Sequence, residues 1–466
     1  MEDYEKQFEK IIEPYYGYKR NTNIDSMLLE HNILPHIYSI NNRNDMTDYE
    51  VYSIDPEGCE DADDAFSIYY ENDKLYLAIH IADPTEFINL DSSLWSSIES
   101  TVVTRYPSNR KPIHMIPDEI MEKSSLMVNN YGDVKNAITI LTEIDKYTYK
   151  PKGTIQLAFT VIKVKSVNAL SYKTASELFN TNEILQNGIK ISNSLLNSRS
   201  TKTKGTVLNE VSNSYIKYDT DKNMYLYCDS IVEKSMKNMI AEFAIFANSF
   251  IGEYLKINFD GRGLYRICNA NEWLETVYNM SGQELLNEII INGIRAEYMS
   301  EVNSHDLVGA PEYCHFTSPI RRLSDCVCHY LLKYIHLKQS NYLLPVPFTN
   351  EQLEKYSNNC ISLSKSMKNI QYKDSKFRLI QVIQSMLLKN KPVEIGYYIS
   401  SYTGLFLNII INNINEHSIY ISYTLRIPNL QINYNNRTVN YLSINKVNCM
   451  NKYDQGSIPE LDKIFM

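Results

Sequence analysis

The sequence predicts an α+β chain in which antiparallel sheets are surrounded by helices and followed by a small β-barrel. Three observations predict it. Period-two alternation dominates residues 51–90 and recurs within 101–166; helical stretches take over across 174–200, 229–256, much of 271–300, 318–332 and 350–388; short β segments return over 393–450. At 466 residues the chain is too long for one ordinary core, and 44% hydrophobic against 22% charged residues is a globular composition, which excludes wholesale disorder.

Taken in order, residues 1–50 read as a short, partly helical lead-in. YEVYSID, DAFSIYY and KLYLAIHIAD then alternate as strands, separated by the turn signals DPEG and ENDK, and form an expected antiparallel meander. NAITILTEID and TIQLAFTVIKVK add strand-like stretches. Helices follow, one of them starting near Ser318 and another covering about 350–388. The segments VEIGYYISS, LFLNIIIN, HSIYISYTL and TVNYLSI have the lengths and turns of a small barrel. Tyr397, Tyr398, Phe406 and Tyr423 within it are expected in its core, with base stacking as the functional alternative.

The opening MEDYEKQFEKII has no apolar signal region, and no apolar run approaches the ~18–20 residues of a membrane span; an intracellular, cytoplasmic protein without membrane contact is expected. The eight cysteines are scattered without a CxxC pair, which argues against zinc and for buried free thiols. A net charge of −9 excludes broad electrostatic attraction to nucleic acid and leaves room for a local basic channel.

The densest chemical signal is SIDPEGCEDADDAFS, residues 53–67. Asp55 ends one predicted strand, and Asp61, Asp63 and Asp64 open the next. Alternation puts Asp61 and Asp63 on one face, the DPEG turn returns Asp55 beside them, and Asp64 joins if the strand starts irregularly. Four carboxylates in a small volume repel unless a cation neutralises them, and their hard oxygens suit Mg²⁺, Mn²⁺ or Ca²⁺. An EF-hand is excluded, because the sixth position from Asp61 is Phe66 and the twelfth is Asn72. Spacing alone slightly favours a solvated acidic turn; the apolar strands on either side favour a buried metal site, where unpaired carboxylates are costly.

The second signal is YCHFTSPIRRLSDCVCHYLL, residues 313–332. Ser318 is a good N-cap with Pro319 at the first helical position, which places Arg321 and Arg322 in the first turn. Cations there oppose the helix dipole, so an anion such as a phosphodiester is the expected occupant. The plain alternative is a surface helix with two solvated arginines.

With both segments in view the chain resembles the ribonuclease II/R (RNB) family of hydrolytic 3′-to-5′ exoribonucleases. SIDPEGCEDADDAFS is similar to the family's four-aspartate motif, LAIHIADPTEFI (77–88) to the strand after it, TVVTRYPSNRKPIHMIPDEIMEKSSLMVN (101–129) to its Tyr-Leu-Pro and Met-Leu-Pro loop, IAEFAIFAN (240–248) to its Glu/Asn helix, and FTSPIRRLSDCVCHYLL to its arginine signature. The resemblance runs in consistent order over about 51–390. It implies a lead-in over 1–50, an RNB-type catalytic domain over 51–392 and a degenerate OB-like barrel over 393–466. It also implies that Asp55 and Asp64 ligate a tightly bound Mg²⁺, with Mn²⁺ a possible substitute. Asp61 and Asp63 help hold a second ion, Asp63 being most critical for cleavage, and Arg321 grips the phosphate. Ser318 and Arg322 belong to the same phosphate-binding segment, Tyr106 stacks on a base near the 3′ end, and Glu242 lies near the terminal nucleotide. His80 and His315 fall within matching motifs and read as structural, since two metals about 3.5–4 Å apart need no histidine base. The sequence departs from the family in two places. About fifty residues precede the motif where the family carries cold-shock domains, so the RNA clamp is reduced or supplied by a protein partner. RYPSNR stands where the family has Tyr-Leu-Pro, which alters the backbone around Tyr106.

The expected function is therefore Mg²⁺-dependent degradation of single-stranded RNA to nucleoside 5′-monophosphates. The alternatives are a catalytically inactive RNA-binding or complex-assembly subunit, and a metal-dependent phosphoesterase acting on DNA or a small nucleotide.

Overall fold

Asp64 opens the edge strand of a five-stranded sheet whose order is Asn44–Met46, Pro151–Lys163, Val134–Ile144, Lys74–Ala82 and Asp64–Glu71. The computed structural model describes residues 2–17, 36–108, 110–203, 214–219, 223–280, 285–286, 288–289, 292–403, 406–426, 431–433, 438–440, 447–450 and 455–458. The chain divides into two compact units, one of residues 16–211 and 231–369, the other of 1–15, 212–230 and 370–466.

In the larger unit, Asp64–Glu71 and Lys74–Ala82 form the expected hairpin, with Asn72 and Asp73 at φ 48° and 64° in the ENDK turn. Two residues at positive φ are what a tight two-residue hairpin loop demands, and short polar side chains tolerate them. Lys74–Ala82 is buried on both faces: Leu75, Leu77, Ile79 and Ile81 are buried, and so are Ala78 and His80. His80 is satisfied in place, between Ser67 Oγ at 3.0 Å and Thr139 Oγ1 at 2.9 Å, the structural role expected of it.

The meander continues antiparallel through Val134–Ile144 and Pro151–Lys163, but the expected first strand is not part of it. Ser53–Asp55 pairs in parallel with Ala169–Ser171 and touches Asp64–Glu71 through one bridge, Tyr52 to Phe66. Local alternation marks a strand without naming its partner, and the partner here lies over a hundred residues downstream. The lead-in is more than helical: Asn44–Met46 adds a parallel edge strand beside Thr160–Ile162. Within 271–300 helix is found at Asn271–Thr276, but Glu297–Glu301 is a strand paired with Arg262–Ile267.

The helix after the arginines runs Leu323–Gln339, and buried side chains surround it on all sides. Beneath it lies an ion network that local sequence signals do not announce. Asp83 and Glu86 accept from Arg43 Nη2 at 2.6 and 2.7 Å and from Lys333 Nζ at 3.0 and 2.7 Å, with Asp83 and Lys333 fully buried. Reciprocal pairing lets four charges stay in the interior.

The long helix spans Asn350–Leu388, as the sequence predicts, and its residues from 370 onward belong to the smaller unit. There Leu379, Val382 and Ile383 pack on a three-stranded antiparallel sheet, Ile395–Thr403, Phe406–Ile414 and His417–Arg426. Tyr397 and Tyr423 are 8% and 4% exposed and belong to this core, the expected place for them; the side chains of Tyr398 and Phe406 lie outside the described ones. Two further hairpins pair Gln431–Asn433 with Thr438–Asn440 and Val447–Met450 with Gln455–Ile458, and no closed barrel is present among the described residues. No described helix is long and apolar enough to cross a membrane.

Candidate active site

Three backbone devices bring the acidic residues together. The parallel pairing of Asp55 with Ser171 fixes the end of its strand. The turn that follows closes with Cys59 N–H on Pro56 O at 3.1 Å, and Gly58 supplies its φ of 79°. Beyond it, Leu126 N–H bonds Ala62 O at 3.0 Å and Ala82 N–H bonds Asp63 O at 2.8 Å, so residues 61–63 are an extended lead-in and the strand proper begins at Asp64. That irregular start is the condition under which Asp64 joins its neighbours.

The electrostatics show how close the four are. Burial, then the charges of Asp64, Asp63 and Asp61, push the Asp55 carboxyl up to about 8. Burial lifts Asp63 to about 7 against the opposing Arg321 charge and Ile320 N–H, and lifts Asp64 to about 6 against Arg321 and Arg322. Asp55 Oδ2 is buried without a hydrogen-bond partner among the described residues. An unpartnered carboxylate oxygen in an acidic cluster fits a hard divalent cation, as does the all-oxygen donor set. No three His, Cys, Asp or Glu side chains among the described residues converge on one metal position. Mg²⁺ does not need three, because it keeps several waters and is held by one or two carboxylates.

The other two aspartates are engaged by protein donors. Asp61 accepts from Tyr106 Oη on Oδ2 at 2.9 Å and from the Cys59 thiol on Oδ1 at 3.3 Å, and His114 Nδ1 stands 3.9 Å away. Asp63, 3% exposed, accepts from Ile320 N–H at 2.8 Å and Arg321 Nε at 2.7 Å. Arg321 also donates from Nη2 to Ser318 Oγ at 2.9 Å, and its side chain stays 44% exposed. Asp63, Arg321 and Ser318 are thus one hydrogen-bonded unit.

Ser318 is not the N-cap the sequence predicts. Pro319–Arg321 form a turn, and the helix starts at Leu323 with Arg322 as its extended N-cap residue. Tertiary pairing overrides the local signal: Arg322 bridges Val103, Thr104 N–H bonds Arg321 O at 3.0 Å, and Leu323 N–H bonds Val102 O at 2.8 Å. The helix start is served by Asp325, whose Oδ1 accepts from Ser318 N–H and Arg322 Nη2, both at 2.8 Å. Arg322 is therefore turned toward Asp325, while Arg321 is turned toward the aspartates.

The helix Ile231–Asn258 sets the height of this segment. Asn248 Oδ1 accepts from Phe316 N–H at 2.8 Å, its Nδ2 donates to Tyr313 Oη at 3.0 Å, and a Cβ on Gly252 would stand 2.7 Å from Tyr313 N. Glu242 of the same helix is 1% exposed and clamped bidentately by Arg199, with contacts of 2.9 and 2.6 Å, instead of lining its partly apolar face alone. His315 bonds Tyr298 Oη through Nδ1 at 2.7 Å, a hydrogen-bonding role as expected. Cys59, His114, Tyr172 and Asp325 escaped sequence reasoning as site neighbours. Cys59 lay inside the motif and read only as a thiol; Tyr172 is pushed up by burial and by the charges of Asp64 and Asp55, a proximity set by long-range pairing.

An RNB domain model matches residues 43–338. Ribonuclease R of Thermotoga maritima is 24% identical over 433 residues, covering 81% of this chain and 56% of that protein. DIS3-like exonuclease 2 of Schizosaccharomyces pombe is 26% identical over 355 residues, covering 63% of this chain and 37% of that one. The chain thus spans little more than half of the first relative and less of the second. Among solved structures, RNase R of Mycoplasma genitalium in complex with ribose-methylated single-stranded RNA superposes with a TM-score of 0.71 at 19% identity, over 96% of this chain and 74% of that one. Yeast Ssd1, described as a pseudonuclease, superposes with a TM-score of 0.65 at 18% identity, over 90% of this chain and 55% of that one. The ordered aspartate and arginine segments on an α+β scaffold of this kind, together with the domain match, place the chain in the RNB family.

Proposed function

We propose that the chain is a hydrolytic 3′-to-5′ exoribonuclease that degrades single-stranded RNA to nucleoside 5′-monophosphates with Mg²⁺, for which Mn²⁺ can substitute. The observation that carries this reading is the acidic cluster facing Arg321, with Asp55 Oδ2 buried and unpartnered among the described residues. In this reading Asp55 and Asp64 hold the ion, and Asp61 and Asp63 lie nearer the reacting phosphate. A cation held there would supply Lewis-acid neutralisation of the charge on the phosphoryl oxygens. Asp63 and Ser318 hold Arg321 in one orientation, and its exposed guanidinium edge stabilises charge developing on the scissile phosphate. Water attacks phosphorus, the bond to the preceding O3′ breaks, hydroxide stays on the released 5′-monophosphate, and the proton ends on O3′. Tyr106 steadies Asp61 through its hydroxyl and is assigned to a base near the 3′ end. Glu242 and Arg322 act through Arg199 and Asp325 to shape the surroundings of the terminal nucleotide. A protein partner that helps to clamp the RNA belongs to this reading.

The names ribonuclease R and DIS3-like exonuclease 2 support the nuclease class. Two observations favour a second reading, an inactive RNA-binding or assembly subunit: no three donors converge on one metal position among the described residues, and the fold is shared with a pseudonuclease. A 5′-labelled single-stranded RNA, incubated with Mg²⁺ or with EDTA beside Asp63→Asn, separates the two. Exonuclease action gives a ladder shortening from the 3′ end, abolished by EDTA and reduced by about 10³-fold or more in Asp63→Asn. RNA that is bound but left intact establishes the second reading, and cleavage of DNA of the same sequence would point to a general phosphoesterase.

A further inference from the structure

We propose that Lys135 is a positioning residue for the acidic cluster, acting through the loop that follows the helix Asp118–Ser124. This role rests on the nuclease reading above and adds a residue to it. Lys135 stands second in the strand Val134–Ile144, opposite Ile162. The strand begins against its own polarity, with Val134 52% exposed and Lys135 2% exposed. A strand start that exposes its valine and buries its lysine breaks the ordinary pattern, and such breaks gather where a residue has a task beyond packing.

No carboxylate neutralises this ammonium by contact. Among the described residues Lys135 Nζ donates to Glu122 O at 3.1 Å and to Asn129 Oδ1 at 3.0 Å, and it forms no ion pair. The charges that face it are the Glu122 and Asp133 carboxylates, and Asp133 is itself taken by Lys163 at 3.5 Å. Burial outweighs both and brings the ammonium down to about 8. A cation kept inside on two neutral acceptors costs stability, so packing alone does not call for it.

What the ammonium does is tie a loop. Glu122 O belongs to the last turn of the helix Asp118–Ser124, where carbonyls lack helical partners and a cation is favoured. Asn129 stands at the far end of the loop, and its Nδ2 donates to the same Glu122 O at 2.5 Å. Lys135 thus fastens both ends of the loop to the sheet. Between those ends Ser125 Oγ donates to Glu60 O at 3.1 Å, and Leu126 N–H donates to Ala62 O at 3.0 Å. The two carbonyls flank Asp61, and Asp63 follows directly. A shift of the loop is therefore a shift of the backbone that carries two of the four aspartates, and a misplacement of about 1 Å is enough to cost about a hundredfold in rate.

The test measures, on the full chain, kcat and KM with a 5′-fluorescein oligoadenylate in MgCl₂, the melting temperature in EDTA, and its rise as MgCl₂ is added. Lys135→Met is expected to lower kcat about 10- to 100-fold with KM within about twofold of wild type. It should melt within about 3 °C of wild type in EDTA, because the relieved charge offsets the lost bonds. It should also need about tenfold more Mg²⁺ for the same rise. Asn129→Ala cuts the tie from its other end, moves kcat and the Mg²⁺ response in the same direction, and decides the matter should Lys135→Met fail to fold. The double variant is no slower than the slower single one, as two ends of one tie require. Lys135→Arg keeps the charge and the donors and restores most of kcat. Lys74→Gln, on the hairpin surface beside Glu143, controls for the loss of a lysine and keeps wild-type values. A lowered melting temperature with kcat and Mg²⁺ response unmoved overturns the proposal, since Lys135 is then structural only, and wild-type values in both variants overturn it too. A wild type that leaves RNA intact defeats the nuclease reading, and the Mg²⁺ response then decides this role by itself; a wild type that neither cleaves nor responds to Mg²⁺ overturns both.

Discussion

Replacing Asp55 by Asn should make the metal-free protein more stable and at the same time blind to Mg²⁺. In the folded chain the Asp55 carboxyl ionises at about 8, against 3.8 for an exposed one, because it is buried among Asp64, Asp63 and Asp61. Between those pH values the folded state holds a proton that the unfolded state gives up, so stability falls as pH rises through the window. At 1.36 kcal/mol per pH unit the charge costs about 5 kcal/mol by pH 8. Asn keeps the shape and removes the charge; allowing for local relaxation and water entry, the expected gain is about 2–4 kcal/mol. With an unfolding entropy of about 0.7 kcal/mol/K for a unit of this size, the melting temperature in EDTA at pH 8 should rise by about 3–6 °C. Adding Mg²⁺ at a hundred times its dissociation constant should stabilise wild type by about 2.7 kcal/mol and Asp55→Asn by far less. Differential scanning calorimetry in EDTA and in MgCl₂ reads both effects. The reasoning is refuted if Asp55→Asn melts at or below wild type in EDTA, or if Mg²⁺ raises both proteins equally.

Two further outcomes concern the interior. His80 is buried neutral and ionises at about 3, against 6.5 when exposed, so the unfolded state binds the extra proton and stability should fall as pH drops from about 6.5 toward 3. His80→Gln, which keeps partners for Ser67 and Thr139, should flatten that slope in urea titrations; an unchanged slope would assign the acid sensitivity elsewhere. Lys333→Met should cost about 3–5 kcal/mol, because Asp83 and Glu86 would each lose a cationic partner in a closed interior, and a loss under about 1 kcal/mol by chemical denaturation would show that the network is not paired as described.

Much of the site was legible because its residues are close in the chain. Asp55, Asp61, Asp63 and Asp64 fall within ten positions, and a single turn and strand start suffice to gather them. The Lys74–Ala82 strand, the ENDK hairpin and the helix Asn350–Leu388 follow from alternation, turn chemistry and periodicity, all of which are local. Ser318 shows the limit of such reasoning. Its N-cap signal was sound, yet backbone pairing of Arg321, Arg322 and Leu323 with Val102–Thr104, more than two hundred residues earlier, held the segment extended and moved the helix start to Leu323. Glu297–Glu301 became a strand for the same reason, since Arg262–Ile267 offered it an open edge.

By itself, then, the sequence determined the α+β class, the acidic cluster and the arginine segment that answers it, because each depends on residues near one another along the chain. Only the tertiary structure decided that Asp63 binds Arg321, that Tyr106 and Cys59 hold Asp61, that Arg199 claims Glu242, and that Asp55 is left with a buried oxygen unpartnered among the described residues. The physical reason is that the charge state and partner of a buried side chain depend on which distant groups exclude water from it. Composition and spacing do not carry that information.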